Sequence, residues 1–312
     1  MKSNKLPKKK KKKNSSFPNF LTILGIFFVM LSGSLIATYV ISHQKRYDPA
    51  LENKLEVKTI PSDVKKTLKY ATPSANFRVP VLMYHYVEYV QDKKDTIRQS
   101  LDTTPFTLEN QIIALKNAGY TFMTASQLGK VLNGEMQMPK NPILLTFDDG
   151  HRDFYTDAFP ILEKYNVPAT EFIITGFLGG SDFMDPDQVA QIAKSGLIEI
   201  GAHTVDHISL KGKTPSVLQK EIEGSKITLQ ADYHVAVVSF AYPYGSFDQN
   251  AINAVKSAGF TTAVSTLPGI EVNQSDRYFI ERIRPGGRIG SNLIDFLKNY
   301  QQPLQTSTTP KD

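Results

Sequence analysis

The chain has 312 residues, a formal net charge of +6, no cysteine and no tryptophan. Eight lysines, Lys2, Lys5 and Lys8 to Lys13, fall in the first thirteen residues with no acid among them, so the rest of the chain is close to neutral and a basic nucleic-acid-binding body is excluded. The absence of cysteine excludes disulfides, thiol nucleophiles, lipoprotein attachment and cysteine metal sites.

From Asn14 to Gln44 there is no Asp, Glu, Lys or Arg, and Phe20 to Ile41 is densely apolar. As a helix this stretch spans roughly 33 Å, enough for a hydrocarbon core. The lysines on its N-terminal side predict a cytoplasmic N-terminus with everything after the span outside. A cleaved signal peptide is the competing reading, but the apolar stretch is longer than a usual signal-peptide core and no good small-x-small cleavage site precedes His43. The expected organisation is a cytoplasmic Lys-rich tail over 1–19, a single-pass cell-membrane anchor over 20–41 and a stalk over 42–76. An extracellular folded domain over 77–301 follows, then a disordered tail over 302–312. The stalk is polar, with Pro49, Pro61 and Pro73, and Leu51 to Leu68 has room for a short helix.

Within the domain, Val79 to His85 reads as a strand ending in a polar pair. Glu88 to Thr103 is a charged loop. Leu108, Ile112 and Leu115 have helical spacing over Thr107–Ala118, and Gly119 stops that helix. A short strand at Phe122–Thr124 and a helix over Ala125–Leu132 follow. Ile143, Leu144 and Leu145 form the apolar run of a strand buried on both faces, and it ends in Asp148-Asp149-Gly150. Helices are expected over Thr156–Tyr165, Pro186–Lys194, Pro215–Gln230, Gln249–Ala258 and Ser291–Tyr300. Strands are expected over Ala169–Thr175, Leu197–Ala202, Ala236–Ala241, Thr261–Ser265 and Tyr278–Ile283. Strand and helix alternate throughout, which predicts an α/β fold, a parallel barrel or sheet of about seven to eight units.

Four of these strands end in unusual polar groups: His85; Asp148-Asp149; His203; and Tyr242-Pro243-Tyr244. In a closed parallel sheet all four ends converge on one face. Neighbouring strand residues point to opposite faces, so the two Asp are free to do different jobs, one holding a metal and the other a proton. The bland alternative is a solvated Asp-Asp-Gly turn. His203 and His207 are four residues apart, on one face of a helical turn or close together in a tight loop. With Asp149 they offer two imidazoles and a carboxylate, a set that suits one metal ion and leaves positions open. Phe240 to Gly245 reads either as an aromatic turn closing a strand or as a turn whose proline aims a backbone N–H at a developing oxyanion.

Taken together, Thr146-Phe-Asp-Asp-Gly150, His203-x-x-x-His207 and Pro243-Tyr244-Gly245 resemble the motifs of the polysaccharide deacetylase family, carbohydrate esterase family four. The resemblance covers about Val79 to Tyr300. The Val-Leu-Met-Tyr-His opening and Phe-Ala-Tyr-Pro-Tyr-Gly are most similar to the branch that deacetylates poly-N-acetylglucosamine. The resemblance implies a distorted (β/α) barrel, a divalent metal, usually zinc, and hydrolysis of N-acetyl groups from N-acetylglucosamine units. It implies Asp149, His203 and His207 as metal ligands, Asp148 as general base and the Tyr244 backbone N–H as oxyanion donor. The expected partners are the glycan and other polysaccharide-export or synthesis proteins, as the resemblance implies, and the membrane through the N-terminal helix, as the apolar stretch implies; the near-neutral body gives no support for nucleic acid.

The sequence departs from the family pattern in three places. Where the family's third motif has an Arg that supports the base, this chain has Ala241, and Arg282 is the candidate to supply that charge, its alternative being a surface salt bridge. The family's late Leu-x-His acid has no counterpart, because no His follows His234; His85 is the candidate acid. His151, in the turn after the Asp pair, is less suited, and His234 reads as a surface or capping residue. The family's groove tryptophan is absent, and Phe177 and Leu178 are the candidates to take its place. Competing readings are a peptidoglycan N-acetylglucosamine deacetylase, a glycan-binding module without catalysis, and a metal hydrolase acting on another amide or ester.

Overall fold

The structure is a computed structural model that describes residues 59–68 and 76–300. The expected Lys-rich tail over 1–19, the anchor over 20–41, residues 42–58 and 69–75 of the stalk, and the tail over 302–312 lie outside the described residues. Among the described residues no helix is long and apolar enough to cross a membrane.

The strands are β1 (Phe77–Arg78), β2 (Val81–Tyr84), β3 (Thr121–Met123), β4 (Pro142–Asp149), β5 (Ala169–Ile173), β6 (Ile198–Ala202), β7 (Ser239–Ala241), β8 (Thr262–Pro268), β9 (Glu271–Val272) and β10 (Ile280–Arg282). Seven of them pair in parallel in the order β10-β8-β7-β6-β5-β4-β2, and β3 pairs with the first residues of β4. The end strands meet. Met83 N–H donates to Ile283 O at 3.0 Å and Ile283 N–H donates to Val81 O at 2.9 Å, so the sheet is a nearly closed barrel. β1 and β9 form a separate antiparallel ribbon that the sequence pattern does not announce.

Both faces of the barrel wall are buried, which is why the strands read as continuous apolar runs. On β4, Ile143, Leu145 and Phe147 pack outward against the helices, while Leu144 packs inward. The interior layer is Val81, Leu144, Phe172, Ala241, Val264 and Ile280, one residue from each of six strands. Gly201 on β6 makes room for it: a Cβ there would lie 2.4 Å from the Phe172 ring. The helix Ala125–Leu132, with a Thr124/Gln127 capping box, closes the N-terminal mouth. Its first N–H groups reach barrel side chains, Ala125 N–H to Thr170 Oγ1 at 3.0 Å and Ser126 N–H to Glu199 Oε2 at 2.7 Å.

Three local features depart from the pattern expected of them. The Glu88–Thr103 loop contains a helix, Thr96–Leu101, capped by Asp95; only Leu101 of it is buried, so it carries no apolar period. The helix expected over Thr156–Tyr165 begins as a π-helical turn over Phe154–Ala158, with Phe159 N–H bonded to Phe154 O, and continues as an α-helix over Phe159–Tyr165. Pro160 has no N–H to give the Thr156 carbonyl, which favours the wider turn there. Finally, the helix Ser62–Leu68 belongs to the stretch assigned to the stalk, yet Val64 is 1% exposed within the core and Asp63 accepts from Gln249 N–H at 2.8 Å. The packed body therefore takes in part of the stretch before Phe77.

Candidate active site

All four polar strand ends meet at the C-terminal mouth, and β10 adds a fifth. His85, Asp148, Asp149, His203, His207, Tyr244 and Arg282 are all buried. Asp149 and Gly150 both take positive φ, 83° and 80°. This ends the strand's alternation, so the two carboxylates are not sent to opposite faces as an ideal pleat would send them. They reach one region with different partners.

Asp148 faces Arg282. The guanidinium donates from one nitrogen to Asp148 Oδ1 at 2.8 Å and from the other to Oδ2 at 2.6 Å. It is itself fixed by bonds to Ser265 O at 2.8 Å and Thr146 Oγ1 at 3.1 Å. With Arg282 only 1% exposed, the surface salt-bridge alternative does not hold. Burial works to raise the Asp148 pKa, but the charge and hydrogen bonds of Arg282, with smaller help from His203 and His85, outweigh it and hold the carboxyl below its ordinary value. His85 Nε2 lies 4.0 Å from Asp148 Oδ2.

Asp149 faces imidazoles. Its Oδ1 lies 3.3 Å from the Nε2 atoms of both His203 and His207. The three side chains each offer one ligand atom, and these atoms lie within 4.8 Å of one another. Two ring nitrogens and one carboxylate oxygen at that separation fit one divalent cation. His203 is oriented for it: Nδ1–H donates to Ala241 O at 2.8 Å, which leaves Nε2 toward Asp149. The residue in the place of the family's third-motif Arg thus contributes its carbonyl, and the positive charge that faces Asp148 comes instead from β10, two strands from β4 through β2.

The His203–His207 segment is a tight loop and not a helical turn, with positive φ at Thr204 (69°) and His207 (50°). His207 N–H donates to Thr204 Oγ1 at 3.0 Å. Buried Glu221, on the helix Pro215–Tyr233, accepts from Val205 N–H at 3.1 Å and Asp206 N–H at 2.8 Å. Gly176 N–H donates to Val205 O at 2.9 Å, so close that a Cβ on Gly176 would sit 2.4 Å from that oxygen. Tyr244, at φ 59°, donates from its hydroxyl to His207 O at 3.1 Å, and its ring lies 4.6 Å from the His207 ring.

The sequence pattern did not give Asp153 or Glu171 a place at the site, and it weighed His151 only as a less suited acid. His151 Nε2 lies 3.2 Å from Asp149 Oδ2, close to the ligand cluster. The signal was adjacency alone, two residues after Asp149. Asp153 accepts from Val87 N–H at 2.8 Å and ties the segment after His85 to the turn after Asp149. Glu171, on an otherwise apolar β5, is fully buried; burial first, then the charges of Asp148, Asp153 and Asp149, push its pKa well above the ordinary value. Phe177 is buried and packs 5.1 Å from Phe183, Leu178 is half-buried against the core, and exposed His234 caps the helix Pro215–Tyr233 in left-handed geometry.

A family model described as Polysaccharide deacetylase matches residues 135–263, a span that includes Asp148, Asp149, His203, His207 and Tyr244. The chain is 29% identical over 225 residues to the putative polysaccharide deacetylase YxkH of Bacillus subtilis, covering 72% of this chain and 77% of that protein. It is 29% identical over 240 residues to a poly-beta-1,6-N-acetyl-D-glucosamine N-deacetylase of Staphylococcus aureus, covering 71% and 82%. Among solved structures it is similar to the Streptococcus pyogenes deacetylase PplD in complex with acetate, with a TM-score of 0.66 and 27% identity, over 72% of this chain and 99% of that one.

Proposed function

Because the chain belongs to the polysaccharide deacetylase family, carbohydrate esterase family four, and is a deacetylase hydrolase, we propose that it removes N-acetyl groups from N-acetylglucosamine units of a poly-β-1,6-linked surface polysaccharide. The observation that carries the catalytic reading is the buried Arg282 fork on Asp148 beside the Asp149–His203–His207 cluster. The linkage follows the name of the Staphylococcus aureus relative. The anchor over 20–41 and a location outside the cell follow from the apolar stretch and its lysines.

Asp149, His203 and His207 would hold a divalent cation, zinc being the one that the family resemblance implies and that a two-imidazole, one-carboxylate set accommodates. Such a cation supplies Lewis acidity toward the attacking water and the acyl oxygen. Asp148 takes a proton from that water, and Arg282 keeps the carboxylate ionised and aimed. The Tyr244 backbone N–H donates to the oxyanion as negative charge develops on the acetamide oxygen. His85 gives a proton to the leaving amine, so the products are acetate and a glucosamine unit.

The test measures acetate release by the full-length protein in detergent, chelated and zinc-loaded, on β-1,6- and β-1,4-linked N-acetylglucosamine oligomers. The expected result is zinc-dependent release from the β-1,6 oligomers. Release from β-1,4 oligomers and peptidoglycan alone would move the substrate to peptidoglycan. Release from acetylated xylan alone would make the protein an esterase. Oligomer binding by zinc-loaded protein without any acetate would leave a binding module. Protease accessibility of the domain on intact cells tests the location.

A further inference from the structure

His151 takes no part in the proton transfers above, yet it is enclosed at the heart of the site, 1% exposed. Its Nε2 lies 3.2 Å from Asp149 Oδ2, while Oδ1 of the same carboxylate faces His203 and His207. A carboxylate only accepts, so the imidazole N–H is the donor. The ring is gripped by two others: its centre lies 4.1 Å from that of Tyr86 and 5.0 Å from that of Phe183, with interplanar angles of 26° in each case. A backbone bridge joins His151 to Phe183. Tyr86 is held in turn, bridged to Asp102 and with the Arg98 guanidinium 4.4 Å from its ring centre.

Rotation about the last bond of an Asp side chain is soft and nearly two-fold, so nothing in the residue itself selects which oxygen turns toward the histidines. Asp149 also sits at φ 83°, a backbone conformation that the surroundings must maintain. A donor fixed by stacking supplies the missing selection. We propose that His151 is a positioning residue that holds Oδ2 of Asp149 and thereby makes Asp149 a one-oxygen ligand, with Oδ1 aimed between His203 and His207. This rests on the reading that those three side chains hold a divalent cation. The Tyr86–Phe183 stack is the part of the device that keeps the imidazole from following the carboxylate.

The test uses full-length protein in detergent, stripped and titrated with Co2+, as wild type, His151→Phe, His151→Gln, Tyr86→Leu and His203→Ala. Phenylalanine keeps an aromatic ring between Tyr86 and Phe183 and removes the donor. In His151→Phe the Co2+ affinity should fall about 10- to 100-fold, the visible absorption of bound Co2+ should change, and kcat should fall with KM for the oligomer near that of wild type. His151→Gln, which can return an N–H to Oδ2, should recover part of the affinity. Wild-type Co2+ affinity and spectrum in folded His151→Phe, alongside lost binding in His203→Ala, overturns the positioning role and leaves the cation site standing. Wild-type binding in His203→Ala overturns the cation site itself. Thermal unfolding of the metal-free variants reports whether each folds. If His151→Phe does not, Tyr86→Leu decides: an unchanged Co2+ spectrum in it overturns the proposal.

Discussion

The two mouths of this barrel both carry polar side chains that are buried or half-buried, and they are put to opposite uses. At the N-terminal mouth, Glu199 accepts from Ser126 N–H at 2.7 Å and from Ser239 Oγ at 2.6 Å. Thr170 accepts from Ala125 N–H, and Thr262 donates to Ala125 O at 3.3 Å. Backbone groups at the start of a helix complete most of these bonds, so the groups are spent on structure. At the C-terminal mouth the partners of Asp148 and Asp149 are side chains: Arg282, His85, His151, His203 and His207. A carboxylate surrounded by guanidinium and imidazole keeps its charge and can still trade protons or hold a cation. Backbone partners make a polar group a strut, and titratable partners leave it open to chemistry.

Substitutions at the two mouths should separate those uses. The largest loss should follow Asp148→Asn, which lowers kcat about 10³-fold while zinc content stays at the wild-type level; retained turnover would remove the base role. Chelation should abolish release in the wild type, and zinc should restore it. Arg282→Met breaks a buried pair and should cost about 3–5 kcal/mol in urea unfolding. It should also move the acid limb of the kcat/KM profile to higher pH. The sign follows because Arg282 is the main influence holding the Asp148 pKa down, so without it the base stays protonated to a higher pH. A limb that does not move uncouples Arg282 from the base. His85→Ala should cost about 10²-fold in kcat if it is the acid; a near-normal rate returns it to a structural part.

At the other mouth, Glu199→Gln should destabilise by about 1–3 kcal/mol with kcat unchanged, since its partners are all structural. A fall in kcat as large as that of His85→Ala would erase the contrast between the mouths. The smallest effect should come from Glu171→Gln in metal-free protein. The folded-state pKa of Glu171 is raised, so its favourable contribution is present in acid and is lost as pH rises through that value. The urea midpoint of the variant should therefore gain on the wild type between acid and neutral pH, and equal midpoints throughout would place the ionised carboxylate in a solvated site.

His85, Asp148, Asp149, His203 and Tyr244 could be read from the sequence because each lies at the end of an apolar run whose period is local, and His207 because it follows His203 at a four-residue spacing. The alternation of strand and helix was legible for the same reason; it gave a parallel barrel or sheet, and the choice of the barrel came from the family resemblance. His151, Glu221 and Glu171 were not legible as parts of the site. His151 sits in a turn with no period, Glu221 looks like any exposed helix acid until its oxygen meets Val205 and Asp206, and Glu171 is one polar residue inside an apolar strand. The short helix Thr96–Leu101 escaped because it has no repeat long enough to show an apolar face, and the helix Ser62–Leu68, for which Leu51–Leu68 left room, gave no sign that Val64 joins the core.

By itself the sequence determined the alternating strands and helices of the barrel, the family motifs and the residue types at each strand end, because hydrophobic period, caps and turn residues act over a few neighbouring positions. Only the tertiary structure decided how those ends are wired. Arg282 reaches Asp148 from 134 positions away because the bonds of Met83 and Ile283 bring β10 beside β2. Asp149 shares a pocket with Asp148 because its φ is positive, a geometry that the local sequence permits and the packed turn selects. Closing a barrel sets register between strands far apart in the chain, and no local pattern records that register.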